Sequence, residues 1–156
     1  MTLTAVKFED GTTLTDRVLE WTEQLCESLE KNYRNYHERM IRANSNYFEG
    51  ELSEYAKKQI AELEDGTAKL MKFKVVTGKK YYKIIQQDYD TFRDINEYRD
   101  GSVNAFIDKK TGEVYKPASW KSPAKHVRFD MRVIKERTLL HDPNFTDWAG
   151  GYLYMR

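Results

Sequence analysis

A chain of 156 residues, 40% hydrophobic and 13% aromatic, is expected to fold as one domain over residues 1–156, and this composition excludes a disordered protein. The formal net charge of +1 conceals a local excess, because residues 109–137 hold nine Lys or Arg against three Asp or Glu. No apolar run approaches the roughly 18 residues that a membrane-spanning helix requires, so no membrane contact is expected.

The cysteine content and the first residues indicate the compartment. Cys26 is the only cysteine, which excludes an internal disulfide and fits a reducing environment. Residues 1–11 contain Glu9 and Asp10 and have no apolar run, so they do not resemble a signal peptide. We therefore expect a cytoplasmic protein.

The first predicted elements are a short strand and a long helix. Residues 2–8 alternate loosely between polar and apolar, which predicts a strand that ends at the turn of residues 9–11. Asp16 is the expected cap of a helix that runs to about Arg42. Acidic residues dominate the first half of this helix and basic residues the second, as the helix dipole favours. Its apolar positions are Val18, Leu25, Leu29, Tyr36 and Met40.

The length of helix 16–42 predicts self-association. This helix would be about 40 Å long, and a single shorter helix packed beside it would cover only part of its apolar stripe. The uncovered part would be left for a partner. Two antiparallel copies would place the acidic half of each helix beside the basic half of the other. We expect either this homodimer or a sheet that covers the whole stripe.

A second helix and a β-hairpin follow. Ser53 is the expected N-cap of a shorter helix that ends at Gly66 and pairs with the first helix as a hairpin. Residues 70–77 and 81–87 read as two strands joined by a turn at residues 78–79. Residues 88–101 mix acids with aromatics and fit either a short helix or a long loop.

The last third of the chain completes the predicted fold. Residues 103–107 and 113–116 read as a hairpin whose turn ends in Gly112, where a positive φ is easily adopted. Residues 129–140 fit a strand or a short helix, and residues 152–155 are expected to add an edge strand. The sequence thus predicts an α+β fold, with a long and a shorter helix packed on a mainly antiparallel sheet of about four to six strands.

Patterns for catalysis, metals and cofactors are weak. The three histidines and Cys26 lie in different predicted elements without metal-ligand spacing, and no phosphate-binding glycine loop or nucleophile elbow occurs. Asp108 with Glu113, or Asp88 with Asp90, are the candidate acid pairs, but the hairpin turn explains Asp108 without catalysis, because Asp there hydrogen-bonds nearby backbone groups. We expect no catalytic residue, no metal and no cofactor.

One segment, residues 115–128, combines basic and aromatic side chains in the way that nucleic-acid surfaces do. The alternative is a solvated rim in which Trp120 fills the core and the lysines only surround it. The candidate binding residues are Tyr115, Lys116, Trp120, Lys121, Lys125, His126 and Arg128.

The string FIDKKTGEVYKPASWKSPAKHVR resembles a pattern in small proteins of tailed bacteriophages, in which an aromatic-Asp-Lys-Thr-Gly hairpin precedes Ala-Ser-Trp-Lys and Pro-Ala-Lys. The resemblance implies a phage accessory protein that acts in the host cytoplasm. We expect a non-enzymatic protein that binds nucleic acid or a host protein such as a nuclease or defence enzyme. The alternatives are a small enzyme that acts on nucleic acid through acids near Asp108, and a virion or assembly component.

Overall fold

The fold is taken from a computed structural model that describes residues 7–45 and 52–154. Most of the expected N-terminal strand, residues 2–8, lies outside these residues. The helices are α1 (Leu14–Ser45), α2 (Glu54–Asp65) and α3 (Ile134–Leu140), and the strands are β1 (Lys72–Thr77), β2 (Tyr81–Asp90), β3 (Glu97–Asp108), β4 (Glu113–Tyr115) and β5 (Phe129–Asp130). Short 3₁₀ helices span Phe92–Asp94 and Gly151–Tyr154. In the described ranges no helix has the length and apolar character needed to cross a membrane.

The five strands form one sheet in the order β1-β2-β3-β4-β5, and every neighbouring pair is antiparallel. Each strand thus pairs with the next one along the chain, and helices cover one side. The predicted α+β class, with a long and a shorter helix on an antiparallel sheet, is confirmed.

The start of α1 is held by a reciprocal cap. The helix begins at Leu14, two residues before the predicted cap, so Asp16 lies inside its first turn. The Asp16 carboxylate accepts hydrogen bonds from the backbone N–H and the hydroxyl of Thr13, both at 2.9 Å. The Thr13 hydroxyl in turn accepts from the Asp16 N–H at 3.3 Å. This pairing satisfies polar groups that the first helical turn leaves without intrahelical partners.

The main core lies between α1 and one side of the sheet, here called the inner face. Along α1, Val18, Leu25 and Leu29 are fully buried. The inner face contributes a row of apolar side chains from successive strands, since residues that alternate along a strand share a side. This row contains Phe73, Tyr82, Ile84, Ala105, Ile107 and Val114.

A smaller cluster joins α2 to the second half of α1. The Ser53 hydroxyl accepts from the Ala56 N–H at 3.2 Å, and Gly66 ends α2 with φ of 79°, so both predicted caps are confirmed. Ile41 of α1 packs here against Ile60 and other apolar residues of α2. The cluster covers only part of the remaining stripe of α1, because Tyr36 and Met40 are 36% and 41% exposed.

Residues 88–101, for which the sequence left a helix or a loop open, are mostly strand. β2 runs as far as Asp90, and β3 begins at Glu97 and pairs with it. The rings of Tyr89 and Tyr98 meet edge to face across the two strands, with centroids 5.1 Å apart. The tip between them carries exposed Phe92. Cross-strand aromatic pairing of this kind stabilises an extended hairpin.

The expected edge strand at residues 152–155 is wrong. Gly151–Tyr154 is a 3₁₀ helix that buries Tyr152 and Leu153 in the main core. The Tyr152 hydroxyl donates to Asn104 Oδ1 at 2.7 Å, and the Asn104 amide donates to the Trp148 carbonyl at 3.1 Å. Tyr152 and Leu153 therefore fill a core position, and Gly151–Tyr154 is a helical turn rather than a strand.

The bond between Tyr152 and Asn104 generates a stability prediction. In Tyr152→Phe, the buried oxygen of Asn104 loses its donor, so we expect the free energy of unfolding to fall by about 1 to 3 kcal/mol. Tyr154→Phe is the matched control, because Tyr154 is 63% exposed, and it should change stability by less than about 0.5 kcal/mol. Urea unfolding of both variants measures the difference, and equal midpoints would contradict the assigned bond.

Candidate functional site

The side of the sheet away from α1, here called the outer face, carries a row of mixed character. The strand register aligns Val76 with Lys83, Lys83 with Phe106, and Phe106 with Tyr115. These residues alternate with those of the inner face and therefore point the other way. The ring of Tyr81 contacts Phe106 and Tyr115 edge to face, with centroids 5.9 and 6.0 Å apart. The outer face is thus aromatic with a lysine at its centre.

A tight turn presents Trp120 beside this face. Pro117 forms a β-bridge with Pro123, which brings the two ends of the turn together. The Ser119 N–H donates to the Ser122 carbonyl at 3.1 Å, and the Ser122 N–H donates to the Ser119 hydroxyl at 3.2 Å. The serines therefore use their own hydrogen bonds to hold the turn, and Trp120 is left at its tip.

The Trp120 ring lies close to the ammonium of Lys83, which belongs to β2. The ammonium of Lys83 lies 4.9 Å from the centre of the Trp120 ring and 5.6 Å from that of Phe106. Phe106 is buried, whereas Trp120 is 45% exposed. Trp120 is therefore not a core residue: part of its ring packs over Lys83, and the rest faces solvent.

Five of the other predicted site residues fall into three environments. Lys116 has its ammonium 4.4 Å from the Tyr154 ring, at the edge of the outer face. The Arg128 N–H donates to the Val114 carbonyl at 2.7 Å, so the backbone of Arg128 continues the sheet toward β5. Lys121, Lys125 and His126 are exposed along the same loop.

Tyr115 lies at the end of β4 and is half-buried. Burial first, and then the carboxylate of Glu113, raises the pKa of the Tyr115 phenol above its ordinary value. The phenol therefore stays neutral at physiological pH and offers a ring and a hydroxyl, with no negative charge toward an anionic partner.

Two residues of this surface were missed from the sequence. Tyr81 and Lys83 belong to β2, more than 30 residues before the basic segment, and only the strand register brings them to Trp120 and Tyr115. The signal was the alternation of β2 itself, which sets Tyr81 and Lys83 on one side and Tyr82 and Ile84 on the other.

Asp108 has the structural role that its place in the turn predicts. Its Oδ1 accepts the N–H groups of Lys110 and Thr111 at 2.8 and 3.2 Å, and Gly112 follows with φ of 78°. The carboxylate is buried and engaged by the turn. Within residues 7–45 and 52–154, no three His, Cys, Asp or Glu side chains are grouped as metal ligands.

Comparison with known proteins places the chain in a family. A family model matches residues 5–155, nearly the whole sequence. The chain belongs to DUF7717, a family of unknown function. No curated protein and no solved structure matches it. The family is of unknown function, so the outer face and the loop beside it are the features that bear on function.

The exposure of Trp120 leads to a prediction that separates a contact residue from a core residue. Trp120→Ala should lower the free energy of unfolding by about 1 to 2 kcal/mol, because only part of the indole leaves packed surroundings. Phe129→Ala is the comparison, since Phe129 is fully buried, and should cost about 3 to 5 kcal/mol. Thermal and urea unfolding give both values, and an equally large loss for Trp120→Ala would make it a core residue.

Proposed function

We propose that this protein is a non-enzymatic binder of single-stranded nucleic acid, and that the outer face with residues 115–128 is its contact surface. The observation that carries the proposal is the exposed indole of Trp120 at 4.9 Å from the Lys83 ammonium. An exposed aromatic ring next to a cation offers a base a surface to stack on and a phosphate a charge to meet.

The surrounding charges support an anionic partner. Lys116, Lys121 and Lys125 flank Trp120 along one loop, and Lys83 approaches it from the sheet. Phosphate contacts of this kind supply affinity without sequence readout. A single strand fits better than a duplex, because stacking on one indole requires an unpaired base.

The resemblance to tailed-phage proteins supports the setting of the proposal: an accessory protein that acts in the cytoplasm of a bacterial host. The same surface supports a second candidate, a host protein such as a nuclease or defence enzyme, because exposed Trp side chains also anchor protein interfaces. A catalytic role near Asp108 has less support, since the Asp108 carboxylate is engaged by the turn. A virion or assembly role would be recognised by co-purification with intact particles.

Fluorescence anisotropy with a labelled mixed-sequence single strand tests the nucleic-acid proposal. If about four phosphates are contacted, the logarithm of the binding constant should fall with the logarithm of the salt concentration with a slope near −3. The double variant Trp120→Ala, Lys83→Gln should bind at least about tenfold more weakly, because base stacking and a phosphate contact are both lost.

Lys57→Gln on α2 is the control for charge, because Lys57 is exposed and remote in sequence from the proposed surface. It should leave the affinity nearly unchanged. A binding constant that does not change with salt concentration, or an unchanged affinity in the double variant, would contradict the proposal. Capture of a host protein that persists after nuclease treatment and is lost in the double variant would favour the second candidate.

We also propose that α1 pairs with a second copy of the chain. Tyr36 and Met40 stay exposed after the sheet and α2 have covered the rest of the stripe. Glutamates dominate α1 before Lys31 and basic residues dominate after it, so antiparallel copies would bring opposite charges together. The exposed strip is short, and the dimer should therefore be weak and depend on salt.

Sedimentation velocity at micromolar concentration tests the dimer. We expect a mass above that of one chain in low salt, falling toward one chain in high salt. Met40→Glu should remove association at both salt concentrations, because it places a charge in the exposed strip. Tyr55→Glu is the control, since Tyr55 is exposed on α2. One-chain mass in low salt would overturn the dimer.

A further inference from the structure

Two turns that are distant in sequence bring four lysines together at one end of the sheet. In an antiparallel meander, every second turn falls at the same end, so the β1–β2 turn lies beside the β3–β4 turn. The Lys109 N–H donates to the Lys80 carbonyl at 3.0 Å, and the Lys109 ammonium donates to the Gly78 carbonyl at 3.1 Å. These bonds fix one turn against the other.

The lysines surround a cavity, here called the lysine pocket, of about 480 Å³. Its lining consists of four lysines, two threonines and one aspartate: Lys79, Lys80, Lys109, Lys110, Thr15, Thr111 and Asp108. Thr15 comes from the first turn of α1, whose dipole adds a positive potential to that of the ammonium groups. Three separate segments of the chain therefore converge on one cationic pocket.

The positive charge of the pocket is not neutralised from within. In the part of the chain that the structure describes, no carboxylate lies within ion-pair distance of these four ammonium groups. Asp108 is the acidic residue of the lining, and its carboxylate already accepts the N–H groups of Lys110 and Thr111. Asp16, in the first turn of α1, is likewise engaged by Thr13.

Like charges repel, and among the described residues none of these four ammonium groups has a carboxylate partner, although that of Lys109 donates to the Gly78 carbonyl. An anion held between them would relieve the repulsion. We propose that the lysine pocket binds an oligophosphate, a chain of two or three linked phosphates. A single phosphate carries about −1.5 to −2 charges near pH 7, too few to match four lysines and one aspartate. The lining holds ammonium and hydroxyl donors and no aromatic ring, which suits phosphate groups and offers a base no stacking surface.

This inference does not rest on the proposed function. The lysine pocket lies at the end of the sheet, in the turns of residues 78–80 and 108–111, whereas the proposed nucleic-acid surface centres on Trp120 and Lys83. The oligophosphate has two possible sources: free in solution, as inorganic triphosphate or a nucleotide, or attached, as the 5′-triphosphate end of an RNA strand.

Isothermal titration calorimetry of the full chain with inorganic triphosphate tests the proposal. Triphosphate should bind at least about tenfold more tightly than monophosphate, because it meets more of the four charges. The variant Lys80→Gln, Lys110→Gln should weaken triphosphate binding at least about tenfold. The control is Lys57→Gln, Lys58→Gln, which removes the same charge from α2 and should leave binding unchanged.

A second pair of measurements separates the two sources. An RNA strand with a 5′-triphosphate is compared with the same strand carrying a 5′-hydroxyl. A gain from the triphosphate end that disappears in Lys80→Gln, Lys110→Gln assigns the pocket to strand ends, and binding of free triphosphate without such a gain assigns it to free oligophosphate. Both results support the lysine pocket. Neither measurement uses the Trp120→Ala variant, so failure of the proposed nucleic-acid surface would leave this test unaffected.

The proposal is overturned if wild-type protein shows no heat of binding with millimolar triphosphate. It is equally overturned if the α2 control loses as much affinity as the pocket variant, because the interaction would then follow net charge alone. The four substituted lysines, Lys80 and Lys110 of the pocket and Lys57 and Lys58 of α2, are all exposed, so unchanged melting temperatures of the variants verify that folding is retained.

Discussion

Val18, Leu25 and Leu29 of α1 are fully buried against the inner face, and this contact determines what the rest of the chain can display. The fit is close: a Cβ atom added to Gly112 would lie 3.1 Å from Met131 Cβ and 3.4 Å from Val18 Cγ2. The β3–β4 turn is thereby held against the first turns of the helix. Because α1 occupies one side of the sheet, polar and cationic groups that face solvent are left to the outer face and to the turns.

The parts of the fold that could be predicted from sequence are those with local causes. Apolar spacing predicted α1, and the caps at Ser53 and Gly66 predicted α2, because a cap depends on a few neighbouring residues. The strand content of residues 88–101 was not predictable in the same way, since it depends on Tyr89 meeting Tyr98 across the hairpin. The short apolar segment at Tyr152 suits a strand or a buried turn equally, and only its contact with Asn104 decides.

The candidate site likewise has a part that could be predicted from local sequence and a part that could not. Residues 115–128 form a visible cluster because its aromatic and basic residues are neighbours in the chain. Lys83 and Tyr81 join it through strand register, and Lys79 and Lys80 meet Lys109 and Lys110 through the meander. Taken singly, lysines in turns are ordinary, so their convergence becomes apparent only once the order of the strands is known.

The route by which the chain closes has a kinetic consequence. All strand pairs join neighbours in sequence, and such local pairings form early because little loop entropy is lost. The closing contacts between α1 and the C-terminal segment are of the opposite kind: Ser28 bonds Thr146 across 118 positions, and Asn32 bonds Trp148 across 116. Folding of this domain should therefore be limited by the docking of residues 146–148 onto α1, and a nascent chain would keep its core partly exposed until these residues have been synthesised.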